Sequence, residues 1–176
     1  MKKFFFITFI FACLFANAQN KEWKVVSSSI KFTIKNAGFN VEGSFSGLDT
    51  KIFFDNNKII GNSIEASLNA SSINTSNSTR DGHLKKAEYF DVANYPKITM
   101  AATLFGKDKD GSWRGYFKLT IKNKTKEITV PFTFVENNGK ATIKGSFTIN
   151  RLDFGIGESS MILSDYAKIN IEVIVN

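Results

Sequence analysis

Apolar and polar residues alternate along nearly the whole chain from Trp23 onward. Ile30, Phe32 and Ile34 alternate with Lys31, Thr33 and Lys35, and Phe39, Val41 and Phe45 share one parity with Gly43 between them. Ile64-Ala66-Leu68-Ala70, Ile98-Met100-Ala102-Leu104 and Trp113-Gly115-Phe117-Leu119-Ile121 follow. Ile128-Val130-Phe132-Phe134, Ala141-Ile143-Gly145-Phe147-Ile149 and Ile169-Ile171-Val173-Val175 complete the set. Period two puts each series on one face of a β-strand. Turn formers stand between them at Gly47, Asp55-Asn56-Asn57, Asp108 to Gly111 and Asn137-Asn138-Gly139. Short connections make successive strands antiparallel neighbours, so the chain reads as a single all-β domain. Only the stretch from Ser76 to Glu88 breaks the rhythm. Ser78 with Asp81 has the spacing of a capping box, and Leu84 and Ala87 would face the body of a short helix lying across one end.

Alternation does not separate a two-sheet sandwich from an eight-stranded antiparallel barrel. Strand length favours the barrel, because many series run about 9–10 residues against the usual 5–6, and closure removes exposed edges. An eight-stranded barrel is just wide enough to be filled by side chains or to hold one small ligand. The inward series mixes bulky residues with Gly43, Ala66, Ala70, Ala102, Gly115, Ala141 and Gly145. These small residues either taper a packed core or leave a void. A void walled this way would need an apolar ligand. At about 0.8 kcal/mol per buried methylene against an association cost of roughly 4–15 kcal/mol, eight carbons barely suffice and twenty bind firmly.

Composition narrows the setting. Lys2 and Lys3 precede an apolar run from Phe4 to Ala16, which ends at Ala16-Asn17-Ala18. This is the pattern of a secretory signal cleaved after Ala18, with residues 19–176 as the exported domain. Removing residues 1–18 takes the only cysteine, Cys13, and lowers the formal charge from +7 by two lysines to +5. With one histidine and no thiol left, neither a disulfide framework nor a Cys/His zinc site is available. No lysine or arginine block gathers the positive charge, so it reads as ordinary surface charge and not as a nucleic-acid footprint.

Several ordered pieces resemble the YceI-like family of exported lipid-binding proteins: Trp23, Ser29-Ile30-Lys31-Phe32, Ser72-Ile73-Asn74-Thr75, Arg80-Asp81 with His83-Leu84, and Tyr89-Phe90-Asp91. Tyr95-Pro96-Lys97-Ile98, Leu119-Thr120-Ile121 with Thr125-Lys126, and Arg151-Leu152-Asp153-Phe154-Gly155-Ile156 extend the likeness over the whole mature chain. The resemblance implies an extended, lipocalin-like barrel in the periplasm that sequesters polyisoprenoids or other long-chain amphiphiles, without catalysis. Asn123 stands where the family usually has glycine; asparagine tolerates the left-handed conformation, so the hairpin should survive.

The lumen lining expected from these readings is Phe32, Ile34, Val41, Leu68, Met100, Phe117, Phe132 and Phe147. Arg80, Asp81, His83 and Arg151 either meet a ligand head group or support the mouth: Asp81 as a helix cap, Arg80 as a pin to the rim, Arg151 as an ion pair with Asp153. No cofactor, metal or nucleic acid is expected. The expected partner is a long-chain lipid, with transient membrane-surface contact, on a monomer or homodimer. Catalytic signatures fail: Gly43-Ser44-Phe45-Ser46-Gly47 has phenylalanine where a nucleophile elbow needs serine, and Gly155-Ile156-Gly157 lacks the third glycine of a dinucleotide fingerprint. Three rivals stay open: an outer-membrane barrel with its apolar face outward, an enzyme using Asp81 and His83 on a prenyl phosphate, and a solid-cored interaction domain.

Overall fold

A computed structural model describes residues 21–176. The expected signal segment, with Cys13 and the cleavage after Ala18, lies outside the described residues. Ten strands follow in chain order: β1 (Glu22–Trp23), β2 (Val25–Asn36), β3 (Phe39–Phe45), β4 (Asp49–Phe53), β5 (Ser63–Asn69), β6 (Lys97–Lys107), β7 (Trp113–Ile121), β8 (Lys124–Asn137), β9 (Lys140–Asn150) and β10 (Leu163–Val175). One helix, α1 (Ser78–Leu84), and 3₁₀ turns at Ala70–Ser72 and Arg151–Phe154 complete the described chain. The strands form one curled antiparallel sheet in the order β1-β4-β5-β6-β7-β8-β9-β10-β2-β3. Two strands, β1 and β4, add to the eight expected; both are too short for alternation to reveal.

Lys24 alone separates β1 from β2, although β1 stands beside β4 and β2 beside β10 at opposite ends of the strand order. Lys24 also exchanges backbone hydrogen bonds with Asn176, at 3.0 and 2.9 Å. Beyond β3, Ser44 exchanges two more with Asn74, at 2.8 and 3.0 Å. Inward residues stack in rows across strands: Phe147 pairs with Ile169, Ile169 with Phe32, and Phe32 with Gly43. The alternate positions on the outer face, such as Lys31, Lys35, Glu65, Lys118 and Lys126, stand in solvent. The continuous apolar face therefore points inward, which is the reverse of a membrane barrel.

One expected series is corrected by the backbone. The register between β6 and β7 shifts between Ala102 and Leu104, so Thr103 is an extra residue, and a bulge of this kind flips the parity that follows. Leu104 is consequently 61% exposed, and Phe105 takes the inner position at 5%. The β7–β8 hairpin turns at Lys122 and Asn123 with φ of 49° and 59°. Both central residues are left-handed, as the commonest two-residue hairpin turn requires, and Asn123 is well suited to its place.

Candidate ligand-binding cavity

The two ends of the curled sheet differ. At one end Phe54, just past β4, is the hub of an aromatic cluster. Its ring centroid lies 4.6 Å from Phe134, 4.9 Å from Trp113, 5.5 Å from Phe105 and 5.7 Å from Phe132. Trp23 packs edge-on to Phe134 at 5.5 Å. The indole N–H groups are satisfied: Trp23 donates to the Phe54 carbonyl at 2.8 Å and Trp113 to Asn56 Oδ1 at 2.7 Å. This end is solid.

Above that floor the interior is hollow, with a cavity of about 620 Å³. A solid-cored domain is thereby excluded. All eight residues expected at the lumen line the cavity: Phe32, Ile34, Val41, Leu68, Met100, Phe117, Phe132 and Phe147. Leu68, Phe117 and Phe132 are buried, with the two phenylalanines part of the floor cluster. The other five are only half-buried although they point inward; the area they keep is cavity wall. Alternation also marked Ile169, Ile171 and Val173 of β10, which line the cavity between β9 and β2. Tyr89, Phe90, Ile156 and Leu84 were not distinguished as lining, because they come from α1 and from loops without a period.

Small inward residues do both things that were left open. Ala70 and Ala141 are fully buried. Gly43 and Gly115 are covered by neighbouring rings, since a Cβ on Gly43 would stand 2.3 Å from Phe32 Cζ and one on Gly115 would stand 2.3 Å from Phe117 Cε2. Ala66 and Gly145, in contrast, face the cavity.

Polar lining gathers at the other end, where α1 lies. Asn77, not Ser78, caps the helix, its side chain accepting from Arg80 N–H at 3.0 Å. Asp81 instead secures the chain before the helix: its Oδ1 accepts from the Thr75 N–H at 2.9 Å and hydroxyl at 2.6 Å. Arg80 donates from Nε to Thr75 Oγ1 and from an Nη to the Thr75 carbonyl, both at 2.8 Å. Arg80 thus ties the helix to the chain that precedes it, and makes no ion pair among the described residues. Arg80, His83 and Leu84 line the cavity while Asp81 does not, so the paired Asp81/His83 chemistry an enzyme would need is not assembled toward the lumen.

Arg151 also lines the cavity but is spoken for. Its guanidinium donates to the carbonyls of Ile156 at 2.8 Å, Ser164 at 2.9 Å and Leu163 at 3.3 Å, and to Asp165 Oδ1 at 3.1 Å. The expected partner Asp153 is displaced because residues 151–154 form a 3₁₀ turn, not a strand, and Gly155 and Gly157 bend the chain with φ of 65° and 66°. Lys122, in the β7–β8 turn, donates to the Ala87 and Gly155 carbonyls at 2.8 Å each, tying three loops at this end. Among the described residues no buried side-chain nitrogen or oxygen lacks a hydrogen-bond partner. Among the described residues no group of three or more histidine, cysteine, aspartate or glutamate side chains could hold a metal ion.

Comparison with known proteins supplies the context. The profile of the family described as the YceI-like domain matches residues 23–175. A UPF0312 protein of Pectobacterium atrosepticum is 28% identical over 134 residues, covering 72% of this chain and 69% of its own length. Burkholderia cenocepacia BcnA superposes with a TM-score of 0.81 at 23% identity, covering 85% of this chain and 96% of that one. A Campylobacter jejuni YCEI protein gives 0.70 at 27%, covering 77% and 84%. A domain from Saccharophagus degradans described as polyisoprenoid-binding gives 0.69 at 12%, covering 88% and 97%.

Proposed function

Since the chain belongs to the YceI-like family, we propose that it is an exported carrier that holds the tail of one long-chain lipid in this cavity. The carrying observation is the cavity itself, about 620 Å³ of apolar-walled space above an aromatic floor. At roughly 30 Å³ for a methylene-sized group, comparable to the volume share of a water, about twenty carbons fit. Their burial contributes about 16 kcal/mol, which exceeds an association cost of roughly 4–15 kcal/mol. Chains of about eight carbons gain only about 6 kcal/mol and barely meet the lower end of that cost. Prenyl chains are the first class to test, because the Saccharophagus degradans domain with this fold is described as polyisoprenoid-binding; prenyl quinones and fatty-acid-like chains fit the same walls.

The tube is read as an eight-stave barrel in which β1 with β2, and β3 with β4, each count as one strand. That reading is supported by the pairing of Trp23 with Ile52 on one side and of Ile30 with Ile171 on the other. The bridge between Ser44 and Asn74 supports it beyond β3. Phe32, Ile34, Val41, Leu68, Met100, Phe117, Phe132 and Phe147 would grip the tail. Arg80 and His83 would meet the head group, while Arg151 holds the mouth in shape. Cleavage after Ala18 and residence of residues 19–176 in the periplasm belong to the same reading, as does brief contact with the membrane that supplies such a lipid.

Organic extraction of the protein purified from an exporting host, followed by mass spectrometry, tests the proposal. One long-chain lipid per chain is expected. No lipid in the extract, together with no uptake of added prenyl quinone, would overturn it.

A further inference from the structure

The cavity end bearing α1 carries an apolar surface that the tail-binding role does not use. Met161 and Ile162, in the loop before β10, are 105% and 63% exposed, and Phe39, at the start of β3, is 78% exposed. They are neighbours: the Ala37 N–H donates to the Ile162 carbonyl at 2.7 Å, and Asn36 pairs with Leu163 on one side and Phe39 on the other. Asn36 and Leu163 line the cavity, as does Val41, which shares the parity of Phe39. Apolar surface thus continues from the lumen out to these tips.

We propose that Phe39, Met161 and Ile162 dock the cavity's open end onto a lipid bilayer. The inference rests on the carrier reading and adds the surface through which lipid would pass. Three protruding side chains present roughly 400 Å², a patch of the size that is often functional. That is about half of the ~800 Å² per partner that a stable protein interface buries, so a second copy of this chain is a poor occupant. A bilayer accepts separate protruding tips without needing a complementary shape. Lys35, Lys86 and Lys124 stand exposed at this end, but so do Glu88 and Glu158. Charge is mixed, and docking therefore goes through apolar insertion and depends little on salt.

Flotation of the exported protein with vesicles of phosphatidylethanolamine and phosphatidylglycerol tests the surface. The parent should float at low and at physiological salt. The triple variant Phe39→Ser, Met161→Ser, Ile162→Ser should lose about tenfold in vesicle partition. Its uptake of a long-chain alcohol added from solution should stay unchanged, which also establishes that it is folded. Ile60→Ser removes an 89% exposed side chain from the loop beside the aromatic floor, and should float like the parent. A parent that stays with the protein fraction, a triple variant that floats fully, or equal loss in Ile60→Ser overturns the docking surface. So does a parent that sediments as a dimer while the triple variant is monomeric. If flotation responds as expected but no alcohol is taken up by either protein, docking stands and the carrier reading fails.

Discussion

Filling the cavity from one wall should shorten the longest chain it accepts by a countable number of carbons. Ala66 lies on β5 between Ile64, which packs into the floor cluster, and Leu68 nearer the mouth. It pairs with Thr50 and Met100, and it lines the cavity. Ala66→Trp adds about nine heavy atoms, each taking roughly the place of one ligand carbon at interior packing density. One buried methylene contributes about 0.8 kcal/mol, a factor of about four in Kd. For straight-chain alcohols the parent Kd should fall about fourfold per added carbon and level off near the roughly twenty carbons that fill the space. Ala66→Trp should keep the slope but level off at about eleven carbons. Ala101→Trp is the control, because Ala101 is exposed on β6, between Glu65 and Lys118, and carries the same ring into solvent. Displacement of a fluorescent polyene alcohol over a ladder of chain lengths reads both parameters. A ladder without a break, or a break at the same length in the parent and Ala66→Trp, would refute the reasoning.

Other outcomes follow from the mouth and the surface turns. Arg151→Met strands three carbonyls and Asp165; removing one side of such a buried network costs about 3–5 kcal/mol, a melting temperature lower by about 10 °C in a domain of this size. A melt within about 2 °C of the parent would mean that Arg151 is not the pin its bonds describe. Arg80→Gln should weaken binding of a long-chain carboxylate by about fivefold and leave the matching alcohol unchanged, because Arg80 makes no ion pair among the described residues; equal loss for both ligands would make it purely a rim support. The Asn57 N–H and the Lys58 ammonium hold the Asp55 carboxyl below its ordinary value of 3.8. A carboxyl lowered on folding stabilises the fold above its unfolded value, and that contribution fades as pH falls through the folded one. An NMR titration should place the Asp55 midpoint below 3.8, and a midpoint at or above that value would contradict the turn geometry.

What could be read along the chain and what could not divide by range. Facing inward or outward is a property of a residue and its neighbours two positions away, so the eight lumen residues were legible from alternation. A bulge adds one residue without changing composition, and nothing near Thr103 announces that Leu104 and Phe105 exchange faces. The partner of Arg151 depended on Gly155 turning the chain back, which brought Asp165 within reach instead of Asp153. Hollowness was least legible, because it depends on where large rings from distant strands come to rest. Phe54 gathers rings from β6, β7 and β8 into a floor. Phe32 and Phe117, which have the bulk to fill the lumen, lie flat over Gly43 and Gly115. Glycine at those two positions is therefore what leaves the space open. A methyl group on Gly43 would stand 2.3 Å from Phe32 Cζ and drive that ring toward the cavity, so two residues that carry no side chain help set the length of tail the protein can hold.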